Sequence, residues 1–340
     1  MEPALTGERR TATRNDVARQ AGVSSAVVSY VVNNGPKPVA PQTAARVREA
    51  IRLLDYRPNP TAKALRKGTT EILGLVLSDA DNPFYTELAS AIGAEAYRRG
   101  RALMIASARH DLASETRLVD DLIGRQVDGI IAASVSRHPE EAFRRSFQTP
   151  PIVLLDASAP VHGYAAVGLD GEHGGRLAVD HLVGVHGHRR IALVLGERLD
   201  EAPDPREAGW RHALEVAGLA PGPLVQTRWT REGGYEAGRL LLGSEDRPTA
   251  VFAGSDLLGV GLLRAAHEHG LSVPGDLAVV CYDGTRESEY SWPPLTVVAQ
   301  PIEEMAEAAV TFALDPQRRA SYTQLRGTLV VRRSCGCPEL

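Results

Sequence analysis

The 340-residue chain lacks the short motifs that mark the commonest phosphate-binding and nucleophilic enzymes. No G-x-G-x-x-G follows the first strand pattern at 72–77, and neither a Walker-type loop nor G-x-S-x-G is present. No N-terminal stretch has the apolar character of a secretory signal, and no apolar run reaches transmembrane length. We therefore expect a cytoplasmic protein that is not an enzyme and does not engage a membrane.

Cysteine is scarce, with three residues in the whole chain. Cys281 lies in an apolar, strand-like run and is expected to be a small buried side chain. Cys335 and Cys337 form a C-x-C pair near the C-terminus. A metal or redox role is a weak alternative for this pair, because no other cysteine or clustered histidine completes a site in the sequence. His186 and His188, which a single glycine separates, precede a strand pattern and are expected to be turn residues, with metal binding as the weaker alternative. We therefore expect no metal and no cofactor, and a solvated C-terminal tail.

Charge is unevenly distributed along the chain. The net charge is −4, which alone says nothing about nucleic acid. Residues 1–67 nevertheless hold twelve Lys and Arg against five Asp and Glu, including all three lysines, and the remainder is strongly acidic. The length suggests two or three domains. A basic head on an acidic body is the distribution expected of a nucleic-acid-binding domain joined to a ligand-binding one, although ordinary charge fluctuation is an alternative.

The stretch 14–33 has the pattern of two short helices joined by a tight turn. Thr13 is suited to cap the first helix, with Asp16 in the reciprocal capping-box position. Gly22 is suited to a left-handed helix end, and Ser24 to the cap of the next helix. Apolar residues at helical spacing give the pair a common inner face, made of Val17, Ala18, Ala21, Val28, Val31 and Val32.

A third helical pattern at 41–54 would close a three-helix core. The second helix would then keep its outer face free, and in a helix-turn-helix that face enters the DNA major groove. The outward residues are Ser25, Ala26, Val27, Ser29, Tyr30 and Asn33. The pattern also fits any two-helix corner, so the DNA-binding interpretation depends on the residues after the third helix.

Those residues make the chain resemble the lactose-repressor (LacI/GalR) family of bacterial transcription regulators. The matching residues are DVA at 16–18, AGVS at 21–24, VSYVVN at 28–33, and Tyr56, Pro58, Asn59, Ala62 and Leu65. The chain departs from common family patterns at Val27 and Tyr30, which are polar or basic in some relatives, so the operator sequence cannot be inferred. Val27 could contact a thymine methyl group. Ala40 stands where a capping serine is usual, which puts the start of the third helix in doubt by a residue or two.

The resemblance implies that residues 58–69 form a hinge. Its helical part, 61–67, is about two turns long and is marginal by itself in water. In relatives this segment folds in the minor groove of the operator, where the residue matching Leu65 is a wedge that kinks the duplex. The alternative is a linker leucine packed on the body. The complete set of predicted DNA-contacting residues is Asn15, Ser24, Ser25, Ala26, Val27, Ser29, Tyr30, Asn33, Tyr56, Asn59, Thr61, Ala62, Lys63, Leu65 and Arg66.

From Glu71 onward, strand and helix patterns alternate, which predicts parallel sheets covered by helices on both faces. The predicted fold is an all-α helix-turn-helix head followed by an α/β, periplasmic-binding-protein-like body of two parallel-sheet subdomains. The predicted segments are a disordered leader at 1–12, the head at 13–57, the hinge at 58–69, a first subdomain at 70–169 and 299–327, a second at 170–298, and the tail at 328–340.

Ligands of parallel α/β sheets bind beyond the carboxyl ends of the strands, which places an effector between the two subdomains. Asp170, Asp256 and Asp283 lie at or just beyond strand ends. The resemblance adds Phe84, Tyr85, Arg206 and Trp229. Carboxylates, an arginine and an aromatic face suit a sugar, but a purine or another polar metabolite would also fit. Helix capping, a surface ion pair and core packing are the alternatives for these residues.

The sequence therefore predicts a homodimeric, sequence-specific transcription regulator, most simply a repressor. It would bind a near-palindromic site in double-stranded operator DNA under the control of a small-molecule effector. The alternative is a sugar- or metabolite-binding protein of the periplasmic type that does not bind DNA.

Overall fold

The computed structural model describes residues 12–33, 35, 37–58, 64, 67–109, 111–133, 143, 149–157, 159–197, 203–318 and 320–338. The chain divides into two compact units, the head at residues 1–70 and the body at residues 71–340. Most of the predicted leader, residues 1–11, lies outside the described residues.

The described part of the head contains three helices, α1 (Arg14–Ala21), α2 (Ser25–Asn33) and α3 (Pro41–Leu53). Thr13 and Asp16 form the predicted capping box, and Gly22 ends α1 in the left-handed conformation with φ 65°. The helices enclose one small apolar core, whose buried members include Val17, Ala18, Ala21, Val28, Val47 and Ala50. The head is therefore a three-helix unit in which α2 is covered on one side only.

Helix α3 begins at Pro41 without a side-chain cap, because Ala40 occupies the N-cap position. Ala40→Ser is expected to stabilise α3 by about 0.5–1 kcal/mol, since a serine hydroxyl accepts a hydrogen bond from a free N–H of the first turn. Slower hydrogen exchange of the α3 amides in the full-length protein would report this gain. The matched control is Ala45→Ser, at an exposed position inside α3. There serine is expected to weaken the helix slightly, so equal protection in both variants would contradict the capping argument.

The first lobe of the body is a six-stranded parallel sheet in the order β11-β5-β4-β3-β1-β2. Its strands are β1 (Ile72–Leu77), β2 (Ala102–Ser107), β3 (Gly129–Ala133), β4 (Ile152–Leu155), β5 (Ala165–Leu169) and β11 (Tyr322–Leu325). Its helices are α4 (Pro83–Arg98), α5 (Leu112–Gly124) and α11 (Ile302–Leu314). Buried side chains of α4 and α11 pack on one face of the sheet, and those of α5 pack on the other.

The second lobe is a six-stranded sheet in the order β12-β10-β9-β8-β6-β7, parallel except for β12. Its strands are β6 (Ile191–Gly196), β7 (Leu224–Thr227), β8 (Ala250–Ala253), β9 (Ala278–Asp283), β10 (Thr296–Ala299) and β12 (Thr328–Val330). Its helices are α6 (Gly171–Gly184), α7 (Pro205–Val216), α8 (Arg231–Leu242), α9 (Asp256–Glu268) and α10 (Arg286–Tyr290). Helices α6 and α7 cover one face, and α8 and α9 cover the other, where Cys281 is buried as predicted.

The predicted solvated tail at 328–340 is wrong for residues 328–335. Strand β12 pairs antiparallel with β10, in a register that sets Val330 opposite Val297. The Ser334 hydroxyl donates a hydrogen bond to the Val279 carbonyl at 2.6 Å, and Cys335 is 1% exposed. The sequence of residues 328–335 gives no sign of this packing, because the hydrogen-bond partners of the segment lie far away along the chain.

Within the described residues, no helix combines the length and the apolar character needed to span a bilayer.

Candidate functional site

The outer face of α2 carries the side chains predicted to contact DNA. Ser25, Ala26 and Asn33 are exposed, and Val27, Ser29 and Tyr30 are partly buried. The Ser24 hydroxyl accepts a hydrogen bond from the Val27 N–H at 3.4 Å, which fixes the start of the helix. The predicted residues therefore lie on an accessible, capped helix whose opposite side is buried in the head core.

Two residues of α2 make local contacts that sequence patterns do not predict. The Asn33 amide donates to the Ser29 carbonyl at 2.9 Å, so its side chain folds back along the helix. A Cβ atom at Gly35 would lie 2.5 Å from the Tyr30 ring, so only glycine allows the chain to pass so closely. Gly35 thus lies close to Tyr30 and donates its N–H to the Tyr30 carbonyl at 3.0 Å.

The other predicted DNA contacts divide into those that are described and those that are not. Asn15 is exposed on α1, whereas Tyr56 is partly buried against the head core. Asn59, Thr61, Ala62, Lys63, Leu65 and Arg66 lie outside the described residues. The described head also exposes basic side chains suited to phosphate contacts, namely Arg14, Arg19, Lys37, Arg46, Arg48, Arg52 and Arg57.

In the body, Arg206 is held at the start of α7 by a buried carboxylate. Its Nε and Nη2 atoms donate to the two Asp204 carboxylate oxygens at 2.8 and 2.7 Å, and its Nη1 donates to the Gly254 carbonyl at 2.8 Å. Burial opposes the charge, but the Asp204 carboxylate holds the pKa of Arg206 above its ordinary value. Arg206 is therefore a fixed, permanently charged fork rather than a mobile surface side chain.

The aromatic rings of Trp229 and Tyr282 lie beside the Arg206 guanidinium in the second lobe. The Arg206 guanidinium carbon lies 4.7 Å from the Trp229 ring centre and 5.3 Å from that of Tyr282. A Cβ atom at Gly196 would lie 2.0 Å from the Trp229 ring, so the glycine at the end of β6 makes room for the indole. Stacking on the guanidinium orients a ring that is only partly buried.

Asp256 and Asp283 form a buried acidic pair next to Arg206. Asp256 Oδ2 accepts from the N–H and hydroxyl of Thr285 at 2.6 and 2.7 Å, and Asp283 Oδ1 accepts from Gln300 Nε2 at 2.6 Å. Burial raises the pKa of Asp256 to about 7, against the opposing effect of the Thr285 hydrogen bonds. Burial also raises the pKa of Asp283, and the nearby Asp256 charge adds to that shift. Burial thus favours the neutral form of both carboxyl groups.

Several buried polar atoms around this pair have no hydrogen-bond partner among the described residues. They include Asp256 Oδ1, the Tyr282 hydroxyl and Gln300 Oε1. A buried polar atom left without a partner costs about 1–3 kcal/mol, so three in one place favour a region that receives a polar ligand.

Tyr85 is a side chain of the first lobe that interacts electrostatically with Asp283 and Arg206 of the second lobe. Burial raises the pKa of its hydroxyl above the ordinary value, and the charges of Asp156 and Asp283 act in the same direction. Its neighbour Phe84 has a different environment, because it is buried in the core between the first sheet and α4. The Tyr85 hydroxyl is thus within electrostatic range of Asp156 and Asp283, whereas Phe84 is a packing residue.

Asp170 caps α6 and also forms an ion pair. Its Oδ1 accepts from the His173 N–H at 3.0 Å, and its Oδ2 lies 3.1 Å from Arg326 Nε. Both oxygens therefore have protein partners at the junction between β5 and α6, as the capping alternative expects.

Sequence patterns miss four residues of this region: Asp156, Asp204, Tyr282 and Gln300. Asp156 directly follows β4, as Asp170 follows β5, so the strand-end signal that identifies one aspartate applies to the other. Asp204 has the spacing of a helix cap and accepts from the Arg206 N–H at 2.9 Å, which gives no sign of its second role as the guanidinium partner. No local signal distinguishes Tyr282 or Gln300.

Comparison with known proteins gives the same two-part division. A family model described as bacterial regulatory proteins, lacI family, matches residues 13–59, and one described as a periplasmic binding protein-like domain matches residues 179–335. The chain is 35% identical over 332 residues to the ribose operon repressor of Escherichia coli (strain K12), covering 95% of this chain and 99% of the relative.

Two structures extend the comparison. The Lac repressor dimer bound to operator and the anti-inducer ONPF has a TM-score of 0.84 and 28% identity, covering 96% of this chain and 99% of that one. A LacI family transcriptional regulator from Enterococcus faecium with bound ribose has a TM-score of 0.65 and 30% identity, covering 77% of this chain and 98% of that one.

A helix-turn-helix head joined to a bilobed, periplasmic-binding-like body defines a DNA-binding transcription regulator with an effector-binding domain. The chain belongs to the lacI family of bacterial regulatory proteins. The relatives are transcription regulators rather than enzymes, and the alternative of a binding protein without DNA-binding function is set aside.

Proposed function

We propose that this protein is a homodimeric repressor whose affinity for a near-palindromic operator is controlled by a sugar bound between the two lobes of the body. The main support for an effector is a cluster of buried polar atoms beside Arg206 and the Asp256–Asp283 pair. These atoms have no hydrogen-bond partner among the described residues. Among the relatives, one is a ribose operon repressor, one structure contains bound ribose, and another is a Lac repressor dimer bound to operator.

The chemistry of the cleft favours a ligand with several hydroxyl groups. Asp256 Oδ1 is a buried acceptor, and a sugar hydroxyl is a neutral donor that would satisfy it. Trp229 offers an aromatic face for the C–H surface of a sugar ring, next to a fixed guanidinium. A purine would use the same stacking surface, so it is the natural competitor in a ligand screen.

A thermal-shift screen of pentoses, hexoses, disaccharides and nucleobases on the full-length protein tests the ligand class. A sugar present at about 100 times its Kd would stabilise the folded body by about 2.7 kcal/mol and raise the Tm. Trp229→Leu is expected to abolish the shift, and Trp292→Leu, at a tryptophan that is 81% exposed, is expected to preserve it. A shift given only by nucleobases would contradict the sugar assignment.

Control of DNA binding requires two arrangements of the lobes with different affinities for the ligand. One interlobe contact is a hydrogen bond from the Arg286 N–H, at the start of α10, to Glu87 Oε1 of α4 at 2.9 Å. A ligand that contacts Tyr85 on one lobe and Asp283 on the other would bias such contacts. The lobe angle would then set the spacing of the two hinge segments in a dimer.

The proposal of a dimer is supported by apolar side chains that are exposed on the first lobe. They include Tyr97 of α4 and Ile105 of the edge strand β2. Sedimentation at micromolar concentration is expected to give twice the 36.5 kDa chain mass. A monomer under these conditions would contradict the proposed two-fold operator recognition.

The hinge proposal predicts a selective defect for Leu65→Ala. Losing an apolar wedge would weaken binding to a selected palindromic operator by about 10-fold or more, because the kinked duplex loses its stabilising contact. Sugar affinity should be unchanged. An electrophoretic shift assay with the operator measures the first quantity, and calorimetry measures the second. The matched control is Leu53→Ala, at an exposed leucine of α3. Equal loss in both variants, or loss of sugar binding with Leu65→Ala, would refute the wedge.

A further inference from the structure

Two histidines and two cysteines meet where the C-terminal segment packs on α6. His181 lies in the last turn of α6, and His186 follows its end. Cys335 and Cys337 come from the segment after β12. One potential ligand atom from each of the four side chains lies within 4.8 Å of all the others. The prediction that no clustered histidine completes a site with the C-x-C pair is therefore wrong, because the histidines lie far from the cysteines in sequence.

The distances match the edges of a metal tetrahedron. His181 Nε2 lies 3.3 Å from Cys335 Sγ and 3.8 Å from Cys337 Sγ, and His186 Nε2 lies 3.4 Å from Cys337 Sγ. A tetrahedral zinc ion with Zn–S of about 2.3 Å and Zn–N of about 2.0–2.1 Å separates its sulfur and nitrogen ligands by about 3.5 Å. An ion would thus fit between these atoms with small side-chain movements.

Hydrogen bonding alone accounts poorly for the cluster. An imidazole Nε2 carries either one proton or one lone pair, so it forms one good hydrogen bond at a time. His181 Nε2 nevertheless faces two sulfur atoms, both of them free thiols rather than partners in a disulfide. A metal ion would engage both sulfurs and both nitrogens simultaneously.

The local chain is shaped to present these groups. Gly336 separates the two cysteines at φ 108°, and a Cβ atom there would lie 3.2 Å from His186 Nδ1, so glycine permits the close turn. Thr296 Oγ1 lies 3.0 Å from Cys335 Sγ and 2.9 Å from the Arg332 carbonyl oxygen, so its one proton is shared between these two acceptors. The hydroxyl of Ser334, the residue before Cys335, accepts a hydrogen bond from the Thr296 N–H at 2.8 Å. This bond anchors the chain next to the first cysteine.

We propose that His181, His186, Cys335 and Cys337 bind one Zn²⁺ ion as a closed, structural site. Four protein ligands of mixed sulfur and nitrogen type suit zinc in tetrahedral geometry and leave no position for a substrate. The ion joins the C-terminal segment to the end of α6, the helix that Asp170 caps at its other end in the cleft region. Cys335 and His181 are buried while Cys337 and His186 are partly exposed, so the ion enters from the solvent side. This site is independent of the proposed effector.

Metal analysis of the full-length protein, prepared without an affinity tag and under anaerobic reducing conditions, tests the site. The protein is expected to contain about one zinc per chain after incubation with equimolar Zn²⁺ and gel filtration. Removing the ion with a chelator is expected to lower the Tm by about 5 °C or more, and adding Zn²⁺ should restore it. Co²⁺ in place of Zn²⁺ should give the thiolate charge-transfer and visible bands of a tetrahedral cobalt centre.

Substitution of the proposed zinc-binding side chains tests which of them hold the ion. Cys337→Ser and His186→Gln change partly exposed side chains and are expected to lose zinc while keeping the circular dichroism of the native protein. The matched control is His188→Gln, because His188 bonds the Thr249 hydroxyl at 3.0 Å and is outside the cluster. It should retain one zinc per chain. Failure of the native protein to retain zinc, or retention of a full equivalent by both ligand variants, would overturn the proposal, whatever the outcome of the effector screen.

Discussion

Replacing Arg206 by alanine is expected to lower the free energy of unfolding of the body by about 3–5 kcal/mol, the usual cost of breaking a buried ion pair by removing one partner. The Arg206 side chain is 18% exposed and that of Asp204 is 2% exposed, so the substitution breaks an ion pair whose carboxylate is buried. The variant also loses the hydrogen bond to the Gly254 carbonyl and the stacking on Trp229.

Urea unfolding followed by circular dichroism measures this loss. The matched control is Arg211→Ala on the same helix, because Arg211 pairs with Glu207 at 2.7 Å but is half exposed. Its expected cost is about 0–1 kcal/mol. The double variant Arg206→Leu, Asp204→Asn removes both charges and should recover much of the stability. If Arg206→Ala proved as stable as Arg211→Ala, the guanidinium would not be a buried, fixed group.

The body is expected to lose stability as pH rises from about 4 to 7, in large part because of Asp256. Burial raises the pKa of Asp256 from 3.8 to about 7, despite opposing hydrogen bonds from Thr285. Between those values the folded state holds a proton that the unfolded state has released, so raising the pH favours unfolding. Each unit of pKa difference corresponds to about 1.4 kcal/mol, so the effect amounts to a few kcal/mol.

Asp256→Asn removes the titrating group and is expected to flatten this slope, as measured by urea unfolding at pH 5, 6, 7 and 8. Asp283 shifts in the same direction, so part of the slope should remain. The control is Asp276→Asn. Side-chain and backbone hydrogen bonds from Ser272 lower the pKa of this exposed carboxyl, so its contribution is lost only at more acidic pH. A slope unchanged by Asp256→Asn would contradict the buried acidic pair.

Local structure in the head can be predicted because its signals are contained within a few residues. The Thr13–Asp16 capping box and the left-handed Gly22 depend on positions that touch along one helix, and both are confirmed. Likewise, the strand pattern at 72–77 predicts the observed β1, whose bounds match. Such features need no knowledge of distant residues.

The candidate site can be predicted only in part, because partners distant in sequence decide its chemistry. The place of Asp283 at a strand end identifies it, but its partner Gln300 carries no local signal. Phe84 and Tyr85 are adjacent in sequence, yet Phe84 is buried in the core while the partly buried Tyr85 is within electrostatic range of Asp156 and Asp283. The environment of the C-terminal cysteines escapes prediction for the same reason, since β12 brings them to a distant helix.

The central claim is that a small molecule bound in the body changes the affinity of the head for operator DNA. Its most direct test is the Kd of the full-length protein for a palindromic operator, selected from random duplexes, measured with and without a saturating sugar from the thermal-shift screen. We expect a change of about 10-fold or more, matched by the same factor in the affinity for the sugar with operator present. A sugar that binds the body and leaves the operator Kd unchanged would contradict this claim.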